Sequence, residues 1–312
     1  MEANNKLVVV GSVAVDWVIT PKAERHESVG GAAVFFAMAA APRLASAESQ
    51  GAVQLVGVIG EDFPKPALAD LQGAGVDLEG LERSSGKTFR WKGRYHEDMN
   101  SRDTLETHLN VFENFSPKLP AGYRESEFLF LANIQPTLQL DVLRQMSKRP
   151  RLVGLDTMNL WISIAHDALL EVLSQVDVLT VNEEEALQLT AEINLVRAAR
   201  RIRELGPHTV VIKRGEYGAL CFGPEDTMFA APALPLEDVV DPTGAGDSFA
   251  GGFMAHLART GDLSPQNVRQ AVIWGSTMAS FCVQGFSYDT LRGLSGQDIE
   301  ARYRRFVDLT RF

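Results

Sequence analysis

The sequence predicts an α/β fold in which a mostly parallel sheet is covered on both faces by helices and carries a small β-sheet lid. Three observations lead there. Short β-branched runs alternate with helix-length patterns, as parallel strands joined by crossover helices require. Most of the runs are apolar throughout, so both faces of each strand must be buried. Residues 88–112 break this rhythm with a two-residue period that alternates aromatic and charged side chains.

In chain order, central strands are expected at 7–10, 54–58, 128–132, 152–155, 176–181 and 209–212. Helical patterns occupy 32–40, 66–73, 137–147, 165–174, 194–205, 248–259, 265–283 and 297–309, and Gly261 supplies a left-handed C-cap. Thr137 and Ser163 read as helix caps, which frees Asn133, Gln135, Asp156 and Asn159, just past their strands, for a ligand. In the irregular segment Phe89, Trp91 and Tyr95 share one face, with Arg90, Lys92 and Arg94 on the other. A polar turn spans 97–103, after which Leu105, Leu109 and Val111 alternate up to Phe112. The expected division is therefore a main unit of 1–83 with 116–312 and a lid of 84–115, joined by strand residues near 13–20.

Composition narrows the function. The 312 residues are 45% hydrophobic and 22% charged, enough for one large domain with an insertion. A net charge of −10 excludes nonspecific binding to nucleic acid or an anionic membrane, so a phosphate ligand must be held locally. Cys221 and Cys282 fall in a strand and a helix and read as buried thiols, not as a disulfide framework or zinc site. The first apolar run is too short for a signal sequence, and none approaches the ~20 residues of a membrane span. A cytoplasmic protein is expected.

Asp241-Pro242-Thr243-Gly244-Ala245-Gly246-Asp247 carries the most chemistry. Gly244, Ala245 and Gly246 are small enough for their N–H groups to approach an anion, and the helix behind them adds its positive end. Asp247 is costly beside an anion at rest but suits a base that takes a proton from an attacking hydroxyl. The following helix carries Gly251 and Gly252, each costing about 1 kcal/mol relative to alanine, which signals close packing or ligand approach. Asn182-Glu183-Glu184-Glu185 sets Asn182 and Glu185 one turn apart at the end of a strand; the same residues make a good helix start.

With Gly30-Gly31 ahead of an Ala-rich helix, Asn182 to Glu185 after a strand, and Asp241 to Asp247, the chain resembles the ribokinase family of sugar and nucleoside kinases, also called the phosphofructokinase-B family. The resemblance implies a ribokinase-like three-layer α/β/α fold and an ATP-dependent phosphotransferase acting on an alcohol. It implies that Asp247 is the catalytic base and that the Gly244, Ala245 and Gly246 amides form the anion hole. Asn182 and Glu185 would organise Mg²⁺ and the ATP phosphates, largely through water. Lys213, Gly215 and Gly218 would border ATP. Asp16 would grip substrate hydroxyls over Gly30 and Gly31, with Asn133 as a further contact. Asp241 and Thr243, facing 283–287, match a monovalent-cation site, so K⁺ is a possible activator.

Where ribokinases carry polar sugar contacts this chain reads Ala32-Ala33-Val34-Phe35-Phe36. Ribose itself is thereby disfavoured. The expected acceptor is a sugar or sugar-like alcohol; the alternative is a nucleoside whose base stacks on Phe35, Phe36, Phe89, Trp91 or Tyr95. A noncatalytic sensor of the same fold is the third reading. The aromatic lid face would serve either the substrate of a monomer or a lid-mediated homodimer.

Overall fold

In the computed structural model, which describes residues 6–45 and 51–311, the parallel strands form one wide sheet and the irregular segment belongs to another. The strands are β1 (Leu7–Val10), β2 (Ala14–Ile19), β3 (Glu24–Gly30), β4 (Val53–Ile59), β5 (Val76–Asp77), β6 (Leu81–Arg83), β7 (Phe89–Tyr95), β8 (Arg102–His108), β9 (Phe128–Leu131), β10 (Leu152–Asp156), β11 (Val178–Asn182), β12 (Thr209–Lys213), β13 (Ala219–Phe222) and β14 (Met228–Ala231). The helices are α1 (Ala32–Leu44), α2 (Lys65–Gly73), α3 (Pro136–Gln145), α4 (Asn159–Ile164), α5 (His166–Leu173), α6 (Glu183–Thr190), α7 (Leu195–Glu204), α8 (Ala245–Thr260), α9 (Pro265–Cys282) and α10 (Gly296–Thr310).

The large sheet runs β14-β13-β12-β11-β10-β9-β1-β4-β5, with β6 also on β4. Pairing is parallel from β12 through β5, and antiparallel only where β13 and β14 close one edge. Alternate residues of β1 enter opposite cores, Leu7 and Val9 under α1, α8 and α9, and Val8 and Val10 under α3, α5 and α7. That division is the three-layer sandwich. It explains why β1 and β4 are apolar at nearly every position.

The smaller sheet runs β3-β2-β7-β8. It is larger than the expected hairpin: β2 pairs β7 in parallel and β3 extends the far side. β3 escaped sequence reading because its first four residues, Glu24 to Glu27, are exposed and charged, as an edge strand tolerates. The hairpin is also shifted. β8 starts at Arg102, within the expected polar turn, and is exposed along its length. Leu109 to Phe112 leave the strand; Asn110–Asn114 is a 3₁₀ turn from which Val111 and Phe112 pack on the core.

Two expected caps are not made. Gln135 precedes α3 with no side-chain cap, Thr137 lies inside that helix, and Ser163 lies inside α4 with its hydroxyl on the Asn159 carbonyl. Gly261 does cap α8 at φ 62°, and both cysteines are free and buried. Among the described residues no helix is long and apolar enough to cross a membrane.

The paired glycines of α8 are a packing device. A Cβ on Gly251 would overlap the Phe36 carbonyl of α1, and one on Gly252 would stand 2.7 Å from the Trp274 carbonyl of α9. Ala250, Phe253 and Met254 fill the spaces alongside with no exposure. Gly252→Ala should therefore destabilise the fold by about 1–3 kcal/mol through overpacking, although alanine is the better helix former. Chemical denaturation measures this; an unchanged or higher midpoint would contradict it.

Candidate active site

The polar residues singled out from sequence gather where the parallel strands end. Strand order reverses between β1 and its neighbours β4 and β9, the position at which open α/β sheets form a crevice. Asp156, Asn182 and Lys213 are the last residues of β10, β11 and β12. Asn182 and Lys213 are direct neighbours in the ladder.

The turn from residue 241 into α8 is shaped by two constraints. One oxygen of Asp241 accepts from the Thr243 N–H at 2.8 Å, and Gly244 takes φ 76° as N-cap of the helix. A side chain on Gly244 would run into the Phe35 ring below it. The Ala245 N–H is spent on the Pro242 carbonyl at 3.1 Å, which removes one of the three expected anion-hole donors. The Gly244 and Gly246 N–H groups make no such bond. Lys213 closes in from β12, its ammonium 3.0 Å from where a Gly246 Cβ would stand. Amides, helix end and ammonium thus gather hydrogen-bond donors at one helix end, among the carboxylates of Asp156, Glu185 and Asp247 that act on Lys213.

Lys213 is held by Asp156 at 2.8 Å, both side chains nearly buried. Burial alone would lower the lysine pKa, but Asp156 and Glu185 outweigh it and the shift is upward, so the ammonium stays charged. Asp247, in the first turn of α8, is pushed up to about 7, mainly by burial and then by Asp156, against the pull of Lys213 and Arg102. Asp16, only 5% exposed, is raised well above the carboxylate range by burial and by Asp241 and Asp247. This places Asp16 beside the α8 turn.

Gly30 and Gly31 serve that arrangement directly. A Cβ on Gly30 would overlap the Asp16 carboxylate, and Gly31, at φ 95°, lies against the Ser12 carbonyl and Val13 while opening α1. Ser12 was missed from sequence. Its hydroxyl accepts from the Ala32 N–H at 3.1 Å and its carbonyl from the Ala33 N–H, capping α1 from outside it.

Asn182 and Glu185 form a reciprocal capping box: the Asn182 N–H donates to Glu185 Oε2 at 2.8 Å and the Glu185 N–H to Asn182 Oδ1 at 2.7 Å. The helix-start reading is therefore correct for both. It does not exhaust Glu185, which is buried, pushed up to about 7 by burial and then Asp156, and left with Oε1 outside the box.

Other expected contacts are engaged elsewhere. Asn133 Oδ1 accepts from the Trp161 indole at 2.9 Å and its amide reaches the Met158 sulfur. Asn159 pairs with Gln188, and Gln135 is exposed. Phe36 stacks on Phe130 in the core, so neither it nor the covered Phe35 offers a free face to a base.

The small sheet reaches the same crevice. Tyr95 and Thr243 join their hydroxyls at 3.1 Å, and Asn100 packs on Gly215, which shares a tight turn with Gly218 after β12. Trp91 pairs directly with Asp16 across β2 and β7, so the two share a face of that sheet. Arg102, opposite Tyr95 in the hairpin, lowers the pKa of both Asp247 and Glu185. It was missed because β8 has no apolar alternation to reveal a strand there. Where the resemblance implies a monovalent cation, the Val283 carbonyl accepts from the Val240 and Asp241 N–H groups, while Asp241 Oδ2 is buried with no hydrogen-bond partner.

Comparison with known proteins points one way. A cytidine kinase of Thermococcus kodakarensis is 36% identical over 257 residues, 81% of this chain and 88% of the relative. The aminoimidazole riboside kinase of Salmonella enterica, solved with aminoimidazole riboside and an ATP analogue, superposes with a TM-score of 0.74 at 21% identity, covering 96% of this chain and 99% of that one. A fructokinase of Vibrio cholerae O395, in a fructose-, ADP- and calcium-bound form, superposes at 0.77 with 19% identity over 96% and 99%. Since the family model for pfkB family carbohydrate kinases matches residues 4–290, the chain belongs to that family, and is a phosphotransferase that uses ATP and an alcohol acceptor.

Proposed function

We propose that this kinase transfers the γ-phosphoryl group of ATP to a hydroxyl on the sugar of a nucleoside, with a free sugar as the second reading. The observation that carries the reaction is the convergence of the Asp247 carboxylate, the uncommitted Gly244 and Gly246 amides and Lys213 at one helix end. The nucleoside reading reverses the order favoured by sequence. It rests on the 36% identical cytidine kinase and on Trp91, which shares a face with Asp16 and offers an aromatic platform in place of Phe35 and Phe36.

In this reading Asp16 accepts hydrogen bonds from the acceptor's sugar over Gly30 and Gly31. Asp247 takes the proton of the attacking hydroxyl, while the Gly244 and Gly246 amides and Lys213 meet the charge developing on the transferred group. Asn182 and Glu185 face the ATP phosphates, and Lys213, Gly215 and Gly218 border the nucleotide. Residues 84–115 together with 13–30 act as the lid and exclude water, with Arg102 neutralising phosphate charge; the remainder of 1–83 with 116–312 binds both substrates.

Mg²⁺ bound with ATP would offset phosphate charge, and the Oε1 of Glu185 fits a metal-bound water. The partnerless Oδ2 of Asp241 fits a potassium ion, with Thr243 and the 283–287 segment beside it. Bound there, K⁺ would keep Asp241, which burial otherwise pushes up to about 6, in its ionised form.

Asp247→Asn should lower turnover by about a hundredfold to ten-thousandfold while leaving ATP binding nearly unchanged, as read by steady-state kinetics beside calorimetry. Near wild-type turnover would remove Asp247 as the base.

The base acts as its carboxylate, so activity should be lost as pH falls through about 7. Lys213 favours the charged form and Asp156 opposes it. Lys213→Met should thus move the acid limb of kcat/KM to higher pH and Asp156→Asn to lower pH. Limbs that stay in place in both variants would assign the titration to another group.

ATP consumption with a mixed panel of nucleosides and free sugars tests the acceptor. Cytidine or another nucleoside should give the highest kcat/KM. Turnover of free sugars alone would return the assignment to the sugar reading.

A further inference from the structure

We propose that a second anion site, for a small phosphate-bearing metabolite, lies in the arginine-lined cavity at the far ends of α1 and α8. The cavity has a volume of about 560 Å³, and Arg43, Arg259, Arg304, Trp274, Glu300 and Gly296 contribute to its walls. Arg43 ends α1 and Arg259 ends α8, the two helices whose opposite ends carry the Gly31 and Gly244 turns. α8 alone spans about 24 Å, so the cavity is separate from the site of phosphoryl transfer.

Arg43 is pre-organised. Its guanidinium lies 3.7 Å over the Trp274 ring, and its Nη2 stands 3.0 Å from His256 Nδ1. The other ring nitrogen of His256 is 2.9 Å from Asn267 Oδ1. Burial and the nearby Arg43 and Arg259 push His256 down to about 4, so at neutral pH the imidazole accepts from Arg43 at Nδ1 and donates to Asn267 at Nε2. A neutral ring orients the guanidinium without cancelling its charge, and Arg43 Nε is buried with no partner.

The cluster has more positive than negative charge, with Arg43, Arg259 and Arg304 against Glu300. Among the described residues neither Arg43 nor Arg259 lies in an ion pair with a carboxylate; Arg259 instead donates to the Arg43 carbonyl at 3.0 Å. Glu300 is the sole carboxylate among the lining residues, and it stands 3.8 Å from Arg304. Burial, reinforced by Arg259, pulls the Arg43 guanidinium down to about 10. In a chain of net charge −10, three guanidiniums facing one carboxylate are a local excess that an oxyanion would relieve. The first turn of α10 at Gly296 adds its positive end, and the volume suits a metabolite of sugar-phosphate or nucleotide size.

Pyrophosphate titrated into the full chain by calorimetry, without added metal, tests this. Two sites are expected in the wild type. Arg259→Gln/Arg304→Gln, both exposed positions, should weaken one of them by about tenfold or more while leaving acceptor-dependent turnover in pyrophosphate-free buffer unchanged. Lys213→Met should weaken only the other. A single site that survives Arg259→Gln/Arg304→Gln and is lost in Lys213→Met would overturn the proposal, as would no binding at millimolar pyrophosphate.

Discussion

The architecture depends on α8 lying against α1 and α9 with glycine at the two points of closest approach. Gly251 meets the α1 backbone and Gly252 the α9 backbone, so the helix axes approach more closely than any larger residue allows. This contact sets the anion-binding turn beside the turn that opens α1. Gly244 over Phe35 and Gly30 over Asp16 extend the same economy to the two loops, where a single Cβ would separate the carboxylates from the amides they work with.

The second constraint is electrostatic. Asp16, Asp156, Glu185, Asp241 and Asp247 all lie at the crevice, and one lysine is buried with them. Burial raises the pKa of Asp16, Glu185, Asp241 and Asp247, and neighbouring carboxylates add to the rise at Asp16, Glu185 and Asp247. For Asp247 burial and then Asp156 push the pKa up to about 7, a value that suits the proposed role of base. Lys213 is the counterweight: by pairing with Asp156 it offsets that repulsion while holding a cation at the helix end.

Much of this was legible residue by residue. The strands and helices of the large sheet could be read because apolar runs and 3.6-residue stripes are local consequences of burial on two faces or one. The 241–247 turn announced itself because small residues between two carboxylates have few other uses. Legibility failed where burial leaves no periodic trace. β3 and β8 are exposed strands, so Arg102 passed for turn residue and the lid for a hairpin; Asn133 looked free because nothing local reveals the indole of Trp161.

The sequence by itself thus determined the fold class through hydrophobic period and backbone permissiveness, and, through motifs that resemble a kinase family, the class of reaction. Tertiary structure alone decided which of those groups are available. It spent the Ala245 amide on Pro242, closed Asn182 and Glu185 into a capping box, buried Phe36, and brought Lys213 to Gly246 and Tyr95 to Thr243. Hydrogen-bond partners and neighbouring charges far apart in the chain set those outcomes. No local pattern encodes them.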